Sequence, residues 1–403
     1  MRMPFASPFV LYTACGMFLY AVCAGFRDNY GIMLPHIAAW SGLSYATVSF
    51  VIALGQLFFG LMQPVFGVLA LRRSARSALL IGIGMMLTGL WLIPVSRSAW
   101  LLTLALGVLL PSGTAAASFG IIMGCVGPRL TPGQAHVSSG IIAAGIGVSI
   151  CALSPLMQAI IAAKGLGGAI LALSVPILLL IPLSLWLTKG ADERAADEKS
   201  GEARQPVFAL FREALRDSAY RHLTFGFFTC GFHMALIQTH LFSQLQTPQF
   251  GVSARAAAWA LSVYGIGVIM GSVGSGMACA RFPLSRILGL LYSSRVIWVI
   301  LLLLPLPLPA LFCVILMLGM TGVATVAPTS GLVNKLFGPR RLAALFGFAY
   351  LVHQIGAFAS AWAGGLFLKF TGGYGGVWLA DMALCLAAGI ACFSIRKKTE
   401  RGG

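Results

Sequence analysis

The chain has 403 residues, of which 59% are apolar and only 9% charged, with 48 Gly and 19 Pro. So few charges cannot cover a water-soluble domain of this size, which points to an integral membrane protein. The net charge of +17 would suit nucleic acid, but the 27 Lys and Arg stand mainly in short connections between apolar segments, which argues against that partner.

The opening stretch MRMPFASPFVLYTACGMFLYAVCA has too long an apolar run for a cleaved signal peptide and reads as the first span. Apolar segments of about 20 residues, the length a helix needs to cross hydrocarbon, recur near 9–37, 45–70, 77–95, 99–126, 137–162, 167–188, 220–246, 256–280, 285–305, 309–333, 343–368 and 375–395. They predict an all-α integral membrane protein of twelve transmembrane helices, since isolated strands in lipid would leave backbone groups unpaired. One long polar segment follows the sixth span and holds seven of the ten acids. It divides the chain into a six-helix bundle over 1–188, a linker over 189–219 and a second bundle with its tail over 220–403. The linker's later part, Pro206 to Asp217, has an amphipathic pattern and predicts a short surface helix on a tether.

Cations resist translocation and collect on the cytoplasmic side. With the N-terminus inside, 21 of the 27 fall in inner segments, four (Arg97, Lys164, Arg255, Lys369) in outer loops, and Arg27 and Arg295 within spans. Both termini are therefore expected in the cytoplasm of a bacterium, the chain sitting as a multi-pass monomer in the inner membrane. The nine cysteines lie almost wholly in apolar runs and read as small buried hydrophobes, with no disulfide framework.

The two halves echo one another. GVLALRRSAR (67–76) matches GMACARFPLSR (276–286), and Gly127-Pro128-Arg129 matches Gly338-Pro339-Arg340. With these residues in view, the chain resembles the major facilitator superfamily over essentially its whole length. That resemblance implies two pseudo-symmetric six-helix bundles with a site between them near mid-membrane. The family's loop between spans 2 and 3, Gly-x-x-x-Asp-Arg-x-Gly-Arg-Arg, reads here Gly67, Leu71, Arg72, Ser74 and Arg76, without its acid. GFRDNYGIMLPHI and HQIGAFASAWAGG (353–365) are similar to the bacterial monocarboxylate-transporter-like and oxalate:formate-antiporter-like branch.

A charge at bilayer depth costs several kcal/mol, about 2.5–3.5 on insertion scales, so it normally faces a partner or a watery cavity. On an uninterrupted helix Tyr20, Cys23, Arg27, Tyr30 and Leu34 share a stripe, while Asp28 lies about 100° round, so the two charges are not expected to cancel. In the resembled family span 1 lines the central cavity and carries a cation that engages the substrate carboxylate. Arg27 is the candidate anchor here, its planar fork suited to bidentate binding, with a structural ion pair as the other reading. Asp28 and His233 are candidates for proton coupling. In span 7, His233, Ile237, His240 and Gln244 share a face; His240 is a candidate anion contact, against a role in helix packing. In span 11 the resembled oxalate branch holds its anion with a cation, and His353 stands in that region with Tyr350 one turn earlier and Gln354 beside it. The span 8 Asp and Arg pair of eukaryotic monocarboxylate carriers has no counterpart in WALSVYGIGVIMGSVGSGMACA.

Arg295 and Asp381 are expected to form a structural ion pair within the second bundle. Gln56 and Gln63 share a face of span 2. Small residues at four-residue spacing (Ala143, Gly147, Cys151; Gly267, Gly271, Ser275; Gly356, Ser360, Gly364) predict close helix approach, and the resemblance places them where the halves rock. Thr321, Thr325, Thr329 and Ser330 around Pro328 suggest neutral hydrogen bonds or a kink. No phosphate-binding loop, paired carboxylates, Ser/His/Asp set or Cys/His metal spacing is evident, so neither an enzyme nor a cofactor or metal site is expected. The expected function is secondary transport of a small organic anion, a monocarboxylate or dicarboxylate, with proton coupling or anion exchange. A drug or metabolite exporter of the same fold and a non-transporting membrane receptor are the rivals.

Overall fold

A computed structural model describes residues 7–189 and 207–395. Among them every regular element is helical. The first span is α1 (Pro8–Asp28) and α2 (Tyr30–Ser41), broken at Asn29, whose φ of −112° and ψ of 13° leave the helical range. After α3 (Tyr45–Arg72) and α4 (Ala75–Leu92), the next crossing is built from α5 (Ala99–Leu102), a wide turn at Thr103–Leu109, α6 (Leu110–Ala116) and α7 (Phe119–Val126). A single 56-residue helical run, α8 (Pro132–Leu187), reverses at Gly165, whose φ of 67° favours a residue without Cβ. The amphipathic segment from residue 207 is helical as α9 (Val207–Ala214). Then come α10 (Ser218–Leu236), a wide turn at Ile237–Leu241, α11 (Phe242–Leu245), α12 (Ala254–Cys279), α13 (Leu284–Leu302), α14 (Leu308–Gly322), α15 (Val326–Phe337), α16 (Pro339–Thr371) and α17 (Gly375–Ser394).

Ten described helices are long and apolar enough to cross a membrane, against the twelve expected from sequence. Two features account for the difference. Residues 137–187 count as one 51-residue span although the chain turns back at Gly165. The segment from Ser218 to Leu245 falls short in apolarity because it carries three histidines and its polar Thr and Gln residues.

The sequence holds two stripes of small residues that bring the halves together. On α3 and α16 the contact runs antiparallel: a Cβ on Gly365 would stand 2.6 Å from Ser49, and one on Gly60 would stand 2.8 Å from Gln354. On α8 and α12 a Cβ on Gly147 would meet the Gly265 carbonyl at 2.8 Å, and the reverse pair would meet at 2.7 Å. Further along the same faces Gly67, Gly347, Gly140 and Gly276 have nothing within 4 Å. The seam is therefore closed over its far half and open at the near end, where Arg129 meets Tyr12 and Ser394 meets His222. Two of the predicted small-residue stripes do other work. Gly267 and Gly271 pack on Leu316 and Met320 of α14, and Gly356 and Gly364 pack on Phe228 and His240, all within the second half. The seam on α12 uses Gly265, two residues out of register with the predicted stripe.

A hydrogen-bonded chain locks the far end. The Tyr374 hydroxyl donates to the Tyr45 hydroxyl at 3.0 Å. Tyr45 lies 3.0 Å from His240 Nδ1, and His240 Nε2 lies 2.8 Å from the Ala361 carbonyl. A carbonyl only accepts, so Nε2 carries the hydrogen and Nδ1 accepts from Tyr45. Tyr45 thereby joins the first half to two elements of the second.

Leu at Gly147 or Gly265 should lower stability in detergent by about 1–3 kcal/mol through overpacking, while Leu at Gly140 or Gly276 should leave the melting temperature unchanged in scanning fluorimetry. Tyr45→Phe should cost about 0.5–1.5 kcal/mol of far-end closure. In a background stripped of native cysteines, thiol labelling of Ser49→Cys should then rise about 2- to 10-fold.

Candidate functional site

The break at Asn29 gives the first span its chemistry. The Asn29 side-chain amide donates to the Gly25 carbonyl at 2.8 Å and accepts from Ser154 Oγ at 2.6 Å, tying the broken helix to α8. Arg27 Nε and Nη2 lie 3.2 and 3.1 Å from Asp28 Oδ1, so the two charges pair directly, contrary to the expectation from an uninterrupted helix. The helix ends at Asp28, and the long guanidinium wraps round to its neighbour. Asp28 Oδ2 is buried without a partner.

The guanidinium also lies 4.3 Å over the Phe59 ring and keeps 10% of its side-chain surface open. It opens onto a cavity of about 60 Å³ at the seam. Tyr20, Cys23 and Ala24 of α1, Phe59 and Gln63 of α3, and Thr114, Ser118 and Phe119 around the break between α6 and α7 form its first-half wall. Tyr350 of α16 forms the wall from the second half. The cavity thus offers one fixed cation, a few neutral hydrogen-bonding groups and four aromatic rings.

Of the residues singled out from sequence, Arg27 and Tyr350 line this cavity together. His353 stands behind Tyr350, its ring stacked on it at 5.2 Å and 11°, with Nδ1 buried and unpartnered. Tyr30 does not join the stripe, because the break at Asn29 takes α2 off the register of α1; its hydroxyl is buried without a partner. Gln354 packs against Gly60 with both amide atoms unpartnered. His240 belongs to the far-end lock, away from Arg27. Gln56 is buried while Gln63 reaches the cavity. Sequence reasoning passed over Phe119, Thr114 and Ser118; the Ser-Gly-Thr run at 112–114 was the signal available for Thr114.

The second half holds another polar cluster. The expected Arg295–Asp381 ion pair does not form. Asp381 Oδ2 instead lies 2.7 Å from His233 Nδ1, and both side chains are fully buried. Arg295 Nη2 donates to the Thr321 and Gly322 carbonyls at 2.6 and 3.1 Å. These carbonyls are freed where α14 gives way to a tighter turn at Val323–Thr325, so the predicted kink exists and an arginine caps it. Nε and Nη1 of Arg295 are buried without partners. Cys385 lies near enough to His233 and Asp381 to make a compact trio, which sequence spacing did not reveal. Hydrogen bonds hold that trio, and the adjoining guanidinium opposes a divalent cation.

Comparison with known proteins agrees with this architecture. The chain is 28% identical over 184 residues to an uncharacterized MFS-type transporter of Bacillus subtilis (strain 168), YcxA. That match takes in 44% of this chain and 43% of the relative, so it spans less than half of the relative's length. The fold superimposes on a mutant of the nucleoside transporter NupG with a TM-score of 0.75 at 13% identity, covering 96% of this chain and 99% of that one. Residues 16–248 match the family model of the Major Facilitator Superfamily, and the chain belongs to that superfamily.

Proposed function

We propose that the chain carries a small organic anion, a monocarboxylate or dicarboxylate, across a bacterial inner membrane by alternating access, with Arg27 holding the carboxylate. The observation that supports this reading is Arg27 on a cavity walled by both halves, its guanidinium only partly taken up by Asp28. A guanidinium has five donors in a fixed fork, and Asp28 Oδ1 engages two of its nitrogens. A carboxylate entering beside Phe59 meets the remaining donors in the bidentate geometry that makes such pairs strong. Asp28 keeps the empty site neutral, which lowers the cost of holding Arg27 at bilayer depth.

A ligand at Arg27 also touches Tyr350 of the other half, so its binding energy can differ between arrangements of the two halves. The cation count assigns the near end, with both termini, to the cytoplasm, and the open end of the seam faces that side. The aromatic lining would equally suit the apolar body of an exported drug or metabolite, which is the competing reading. Proton symport or exchange for a second anion would balance the charge moved.

A thermal-shift screen of purified protein against lactate, pyruvate, benzoate, oxalate and uridine at two pH values should stabilise the protein with carboxylates and not with the nucleoside. In proteoliposomes Arg27→Gln should cut uptake of the stabilising acid about 10- to 100-fold, the worth of a charged hydrogen bond, and Arg27→Lys should recover part of it. Unchanged uptake in Arg27→Gln, or stabilisation by lipophilic cations alone, overturns the reading.

A further inference from the structure

Four formal charges lie at bilayer depth: Arg27 and Asp28 in the first span, Arg295 on α13 and Asp381 on α17. Their sum is zero with the histidines neutral. A monocarboxylate entering alone would leave the core with one uncompensated negative charge, and such a charge at depth costs several kcal/mol. A carrier in that state is disfavoured from rearranging, so the anion needs a companion charge.

The pairing in the second half is where that companion can sit. Arg27 and Asp28 hold one another at 3.1 Å, but Arg295 has no carboxylate in contact and spends Nη2 on backbone carbonyls. Asp381 is joined to His233 at 2.7 Å. Among the described residues His233 is the histidine bonded to a carboxylate. His240 has both ring nitrogens engaged by Tyr45 and Ala361, and His353 lies against Tyr350 and Phe227 with no carboxylate in contact. His233 Nε2 is buried and has no partner.

We infer that the His233–Asp381 pair is a proton-binding site that loads one proton for each anion bound at Arg27, which makes the carrier a symporter. The inference rests on the organic-anion reading given above. The proton adds to the Nε2 lone pair, while the Nδ1 hydrogen stays on the ring and is donated to the Asp381 carboxylate. No other bond forms or breaks, and the same proton leaves from Nε2 on the other side of the cycle. Unloaded, the pair carries one negative charge that Arg295 balances. Loaded, it is neutral, and the charge of Arg295 then answers the incoming anion. The core is neutral with both passengers or with neither.

The groups facing the pair are consistent with this task. Cys385 and Trp378 come from α17, at 3.9 Å from Asp381 and 6.3 Å between ring centres to His233. Arg295 comes from α13 with its guanidinium over Tyr292, and Cys230 of α10 lies 3.6 Å from it. Tyr264 of α12 and His353 of α16 also stand within electrostatic reach of Arg295. Arg295 also holds the bend at the end of α14. That helix packs on Gly267 and Gly271 of α12, whose Gly265 meets Gly147 across the seam. A change of charge at the pair therefore bears on a contiguous path to the moving interface.

Asp381→Asn and His233→Gln, in full-length protein reconstituted in liposomes, test this with radiolabelled lactate and pyruvate. Asp381→Asn leaves Arg295 to balance the anion with no proton and should lose accumulation driven by an inward proton gradient yet retain counterflow exchange, whereas His233→Gln leaves the anion-bound core with one negative charge and should lose both. Arg27→Gln should lose both. In parallel, the ¹⁵N-histidine resonance that His233→Gln removes should titrate in the wild-type protein. Gradient-driven accumulation that survives in both variants, or a His233 resonance that stays fixed between about pH 5 and 9, overturns the inference. Loss of exchange together with accumulation in Asp381→Asn at the wild-type melting temperature also overturns it. A titrating His233 in a protein that moves neither acid leaves the proton site standing and removes the organic-anion reading instead.

Discussion

The low dielectric of the bilayer dictates most of what is distinctive in this chain. An ionised side chain there must find an opposite charge, several dipoles or water, and each of the four buried charges finds a different mixture. Arg27 takes its sequence neighbour, an aromatic face and a cavity. Asp381 takes a histidine. Arg295 takes two carbonyls, a ring and a thiol. Such partners exist only where backbone or cavity geometry supplies them, so helix breaks, polar residues and the seam occur together.

The seam shows how an apolar molecule can still have a moving part. Lipid and leucine are equally apolar, so the halves gain little hydrophobic energy by meeting, and close backbone contact supplies the attraction instead. Glycine on both faces permits that contact at Gly147 with Gly265, and again at Gly365 against Ser49. The same property continues to Gly140 with Gly276 and Gly67 with Gly347, which stand apart in this arrangement. Glycine lines the facing surfaces at both ends, and the far end is the one engaged. The Tyr374–Tyr45–His240 chain adds direction to the far-end contact, because it works only when three elements are in register.

How much of this was legible in the residues depended on whether the feature was local. The apolar helices and the superfamily followed from apolar runs and the echo of Gly127-Pro128-Arg129 at Gly338-Pro339-Arg340. The place of Arg27 on the first apolar run was legible too. Its pairing with Asp28 was not, because the 3.6-residue period assumes a helix that continues, and Asn29 ends it. The same assumption misplaced Tyr30. Asp381 with His233 and Arg295 with the end of α14 depend on which helices pack together, and spacing within one helix carries no record of that. The small-residue stripes were read correctly as contacts, but four-residue spacing gives no address, so Gly267 and Gly356 were assigned to the seam although they face neighbours in their own half.

Several chemically active groups stand beside a defect in their own helix or a neighbouring one, and this juxtaposition has a physical consequence. Arg27 precedes the break at Asn29, Ser118 follows the end of α6, His240 sits in the wide turn at Ile237–Leu241, and Arg295 caps the tight turn at Val323–Thr325. Backbone carbonyls and amides freed at such places are tolerated in a membrane only when a side chain or water satisfies them. Removing or adding a charge next to a break therefore alters the hydrogen bonding that fixes the bend, which it could not do beside an intact helix. Gly31 makes the link explicit: it packs directly under the Gln238 and Thr239 carbonyls of the wide turn, where a Cβ would stand 2.6 and 2.9 Å away. The break beside Arg27 and the turn that holds His240 thus share one backbone contact across the seam. The break beside Arg27 and the far-end lock are thus joined through packed main chain rather than through flexible side chains.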